Sequence, residues 1–115
     1  MDYENAPYIK LHWLEEIEPI AAARGVSRVA RSKRGFLTAY KLASGEWTEM
    51  GRDSHSGQDW DERRTNFIKR HMGQVTRRRE ALWKRGEPTD RHLALMMWAY
   101  TPTPKKTLAW VQSLR

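Results

Sequence analysis

The chain has 115 residues, with 21 Lys or Arg against 14 Asp or Glu, a formal charge of +7, a pI near 10.1 and a mean hydropathy of −0.85. That length suits one compact domain with a real core, and the absence of cysteine excludes disulfides, thiolate metal sites and thiol nucleophiles. The longest apolar run, residues 93–100, is far short of the roughly 20 residues that cross a bilayer, and the acidic start from Met1 to Pro7 lacks the positive flank of a signal peptide. A cytoplasmic protein without membrane association is therefore expected.

Ile9, Trp13, Ile17 and Ile20 recur at helical spacing and predict a first amphipathic helix, which Pro19 should end or kink near Glu18 and Gly25 should close. A second helix is expected after Ser32, whose hydroxyl would cap it, running through Phe36, Leu37, Tyr40 and Leu42 to Gly45. Gly35 in its first turn suits close approach of another helix or of a phosphate. Gly45, Gly51, Ser54, Ser56 and Gly57 make residues 44–57 a loop that Trp47 and Met50 can tack down.

Ser56 followed by Asp59 resembles a capping box. It would open a third helix from about Asp59 to Trp83 with Trp60, Phe67, Ile68, Met72, Val75 and Leu82 on its apolar face. Gly86 and Pro88 then break the chain. Thr89 is placed to cap a fourth helix, with Asp90 in its first turn, whose stretch Leu93 to Tyr100 has no polar face and should lie most deeply buried. Thr103 with Pro104 starts a last helix carrying Leu108, Val111 and Leu114. The sum is an all-α fold, a small single-domain bundle of about five helices spanning residues 1–115 around Trp98.

Charge is segregated along this frame. Residues 1–24 carry −3, 25–50 carry +3, 51–62 carry −3 and 63–91 carry +7. Arg63, Arg70 and Arg77 lie seven apart, nearly two helical turns, and so align as a stripe about a third of a turn from the apolar face. Asn66 and Gln74 share that face and can hydrogen-bond bases, while Arg77, Arg78 and Arg79 in succession exceed the nearby acids. A second basic cluster, Arg31, Lys33 and Arg34 with Arg28, precedes Phe36 and could clamp a nucleic-acid backbone. The competing reading is that the stripe pairs internally, with Glu62, Glu80 or the acidic first helix.

Histidines His12, His55, His71 and His92 form no metal-binding pair, and Asp53, Asp59, Asp61 and Glu62 match no calcium-loop spacing. No Walker-type loop or Gly-x-Ser-x-Gly elbow occurs. No catalytic residue, metal or cofactor is therefore expected.

The segments Ala30 to Lys41, Phe67 to Met72 and Pro88 to Tyr100 resemble an uncharacterised family of short basic phage and bacterial proteins. The resemblance implies a single domain and a phage or bacterial setting, and it brings no activity or site residues. The expected function is thus that of a non-catalytic protein binding DNA or RNA through a basic helical face. The alternative is an interaction protein docking on an acidic host protein, with Trp47 or Trp110 at the contact.

Overall fold

A computed structural model describes residues 3–115; Met1 and Asp2, part of the acidic start, lie outside the described residues. The fold is helical, with α1 at Leu11–Ala23, α2 at Arg28–Arg31, α3 at Phe36–Leu42, α4 at Trp60–Arg78, α5 at Asp90–Met96 and α6 at Pro104–Ser113. A two-stranded hairpin, β1 at Trp83–Lys84 and β2 at Glu87–Pro88, joins α4 to α5.

Several boundaries differ from those the sequence predicts. Helix α1 runs through Pro19, because this exposed proline removes only its own hydrogen bond to the exposed turn behind it, while Ile17 and Ala21 on either side are fully buried. Gly25 at φ 67° then reverses the chain as expected. Ser32 does not cap α3. Its hydroxyl donates to the Val29 carbonyl at 2.6 Å, an extra helical turn, α2, precedes it, and Gly35 occupies the cap position. A Cβ on Gly35 would stand 2.1 Å from the Val29 carbonyl oxygen and 2.3 Å from that of Ala30. The close approach that this glycine permits is thus to α2.

The predicted third helix is also shorter than expected. Asp59 itself caps α4, accepting the Asp61 N–H at 2.9 Å, whereas the Ser56 hydroxyl serves the loop. At the other end Arg79 adopts the left-handed conformation at φ 51° and stops the helix before Trp83. Leu82 and Trp83 instead lead into the hairpin, whose two turn residues, Arg85 and Gly86, both have positive φ as a tight type I′ turn requires.

Thr89 caps α5 through the His92 N–H, and Pro104 opens α6, both as predicted. The apolar run ends its helix at Met96 but stays buried through the following turn to Tyr100. Helix α1 packs on α5 and α6, and α4 packs on α5. Between them, Phe36, Trp98, Phe67 and His71 form one continuous ring stack with centroids 4.8, 4.7 and 4.0 Å apart. That stack fixes the side of α4 that faces inward.

Candidate functional site

The first consequence of that orientation concerns neighbours in sequence. Arg64 falls four residues after Trp60 and four before Ile68, both buried, and is itself fully buried. Its guanidinium donates to the carbonyls of Trp98 (2.7 Å), Ala99 (2.9 Å), Ala6 (2.7 Å) and Pro7 (3.0 Å). It lies 3.6 Å from the centroid of the Tyr8 ring. Two of these carbonyls, Trp98 and Ala99, lie just beyond α5, where a cation is favoured by the helix dipole, and that of Ala99 also accepts the Ile9 N–H at 2.8 Å. Burial lowers the Arg64 pKa, opposed by the neighbouring Tyr8 and Asp61. Arg64 is a structural bolt, tying the N-terminal segment and the end of α5 to α4.

One residue earlier, Arg63 turns to the surface of the same helix. It does not stand free as the stripe reading expects. Its Nη1 lies 2.6 Å from Asp53 Oδ2, and its guanidinium carbon lies 5.3 and 5.6 Å from the ring centroids of Trp60 and Trp98. Asp53 is buried. Burial would raise its carboxyl pKa, but hydrogen bonds from the His55 N–H, the Ser56 hydroxyl and Arg63 outweigh this and hold it below the usual range. Asp53 is therefore the anchor of the loop. Among the described residues no group of three or more His, Asp or Glu side chains could hold a metal ion.

Beyond Arg63 the stripe opens to solvent. Arg70 and Arg77 are exposed, and neither makes an ion pair among the described residues. Arg70 borders the Phe67 ring at 5.9 Å. A terminal nitrogen of Arg77 lies back along the helix, 3.8 Å from where a Cβ on Gly73 would be. Arg78 reaches Glu80 only at 3.7 Å, because that carboxylate already holds Arg91 in a two-pronged contact at 2.8 and 3.0 Å. Nor does the acidic first helix neutralise the stripe: its Glu18 pairs with Lys41 and its Glu16 with Arg115.

Arg63, Asn66 and Arg70 come together with Gln58, Phe67 and Trp98 around a partly enclosed cavity of about 220 Å³. Gln74, Arg77 and Arg78 lie further along α4 and outside it. On the other flank of Asn66 is a mainly acidic cleft bordered by Glu4, Asp59, Asp61 and Glu62, with Lys69 as its one cation among the described residues. The α4 surface thus changes sign across Asn66.

The predicted second cluster sits at the α2–α3 junction. Lys33 and Arg34 are exposed, and Arg31 directs its Nε to the Val26 carbonyl at 2.9 Å. The carbonyls of Val29 and Ala30 crowd the start of α3, so an anion would meet side chains there and not the helix N-terminus. Trp47 is exposed at 36 % and stacks one face on Tyr8 with centroids 5.3 Å apart. His71 accepts from Arg91 at Nδ1, 2.8 Å away, and burial followed by the charges of Arg91 and Arg70 lowers its pKa.

Sequence reasoning missed Gln58 and the Phe67–Trp98 floor, because the loop that delivers Gln58 is set by tertiary contacts of Asp53. No known protein family, curated protein or solved structure matches the chain. No helix among the described residues is long and apolar enough to cross a membrane.

Proposed function

We propose that the protein binds nucleic acid through the outer face of α4. The observation that carries this reading is the pair Arg70 and Arg77, seven residues apart on one face of α4, exposed and without a carboxylate partner among the described residues, whereas Arg63 and Arg78 on the same helix each have one. Unneutralised guanidiniums spaced along a rigid helix suit a polyanion whose charges repeat along a line. Asn66 and Gln74 on the same face add groups able to contact bases, and Lys33 and Arg34 supply a second exposed basic corner.

Replacing Arg70 and Arg77 together by Ala tests the proposal. Both side chains are exposed, so the fold should persist, whereas affinity for oligonucleotides should fall and the logarithmic salt slope should drop by about 2. Unchanged affinity for duplex, single strands and structured RNA alike rejects this face.

A further inference from the structure

The cavity beside Arg63 has a composition that the rest of the face lacks. Its six lining residues are Gln58, Arg63, Asn66, Phe67, Arg70 and Trp98. Two guanidiniums and two amides supply donors, and no carboxylate lines it. At about 220 Å³ it is below the roughly 300–1,000 Å³ usual for whole small-molecule ligands. The Phe67 ring has His71 and Trp98 stacked against it, so that ring is already engaged. Small size, donor lining and a closed aromatic floor all favour a compact oxyanion over a planar base.

We infer that this cavity is a socket for the terminal phosphate of a nucleic-acid strand. The inference rests on the nucleic-acid reading above and specifies what part of the ligand enters. A phosphate within the chain carries ester links on two sides and fits an open groove, whereas a terminal phosphate has one link and offers its other oxygens to donors arranged around it. Arg63 is the fixed arm. Buried Asp53 holds one nitrogen of its fork and the Trp60 and Trp98 rings flank it, so little side-chain freedom is lost on binding. Arg70, exposed and unpaired, is the closing arm. Arg77 lies two turns on, about 10 Å along the axis, where the strand leaving the socket would present a further phosphate.

The test compares three forms of one short single strand: ends phosphorylated, ends hydroxyl, and the strand closed into a circle. Binding is followed by fluorescence anisotropy at low salt, with inorganic phosphate as competitor. The phosphorylated strand should bind about tenfold tighter than the other two, as charge-assisted hydrogen bonds imply. Inorganic phosphate should remove that advantage first, and Gln58→Ala with Asn66→Ala should narrow the ratio. Equal affinity for all three forms overturns the socket and leaves the α4 face standing; no binding to any form overturns both. A phosphoserine peptide binding as tightly as the phosphorylated strand overturns the assignment to nucleic acid.

Discussion

Arg64 and His92 show how single polar residues hold this core. The guanidinium of Arg64 is fully buried with four carbonyls as partners and, among the described residues, no carboxylate in direct contact. Arg64→Ala takes a donor from each of those carbonyls, only that of Ala99 keeping a backbone partner among the described residues, in the Ile9 N–H, and opens a cavity. It should cost on the order of 3–5 kcal/mol, a large share of the roughly 5–15 kcal/mol available to a domain. Arg64→Lys should recover only part, since an ammonium cannot reproduce the planar fork. Urea denaturation measures both, and a loss under 1 kcal/mol for the Ala variant would contradict the bolt.

His92 is also buried, with Nδ1 donating to the Leu82 carbonyl at 3.0 Å and Nε2 accepting from the Thr101 hydroxyl at 2.9 Å. Burial drives its pKa down to about 4, only partly offset by the Leu82 carbonyl. The unfolded chain, with an ordinary histidine, binds the extra proton first. Stability should therefore rise with pH between about 4 and 6.5 and be lost as pH falls through that window, by roughly 3 kcal/mol. His71, also lowered, acts in the same direction. His92→Gln should flatten most of the slope in pH-dependent thermal melts, and an unaltered slope would assign it to other groups. The sequence did carry a signal for Arg64, its i±4 spacing to Trp60 and Ile68. It is easily overlooked because Arg63 beside it has the same chemistry and the opposite fate.

At the scale of elements, legibility follows how local the signal is. The starts of α5 and α6 could be read because Thr89 and Pro104 act within one turn of themselves. The apolar stretch 93–100 was legible as core for the same reason. Helix ends decided by unusual backbone were not. Arg79 stops α4 in a left-handed conformation that glycine normally supplies, and Arg85 occupies a hairpin position that favours Asn, Asp or Gly. Arg79→Gly should accordingly stabilise the fold by about 1 kcal/mol by removing the Cβ strain, read as a raised melting temperature. The opposite result is expected at Gly35, where an added Cβ meets the backbone oxygens of α2 at 2.1 and 2.3 Å. Gly35→Ala should destabilise by at least the roughly 1–3 kcal/mol of ordinary overpacking, because a carbonyl cannot swing aside as a flexible side chain can.

Over the whole molecule, ion pairs mix the charged segments, Glu16 with Arg115, Glu18 with Lys41 and Arg24 with Asp90, and a change of sign is confined to α4. The stripe was legible in its Arg70–Arg77 half, where periodicity alone decides direction. Its first member is tied to Asp53 through a loop that no local rule predicts. The boundary runs along α4 near Asn66, which borders both the donor-lined cavity and the acidic cleft of Glu4, Asp59, Asp61 and Glu62. On the nucleic-acid reading, a polyanion running from the Arg63 cavity along Arg70 and Arg77 would be repelled on the Glu62 side of Asn66, so the cleft carboxylates would keep it on the Arg63–Arg70 flank of α4. Glu62 is the member to test, since it is exposed, whereas Asp59 caps α4 and Asp61 accepts the Tyr8 hydroxyl. Glu62→Gln should tighten oligonucleotide binding several-fold at low salt and have little effect at 1 M salt, where the screening length shrinks from about 10 Å at 0.1 M to about 3 Å. Its helix-terminal position makes a small stability loss, a few tenths of a kcal/mol, the expected accompaniment. If the charge removal leaves low-salt affinity unchanged, the bound polyanion does not approach the start of α4, and its path must lie beyond Arg70.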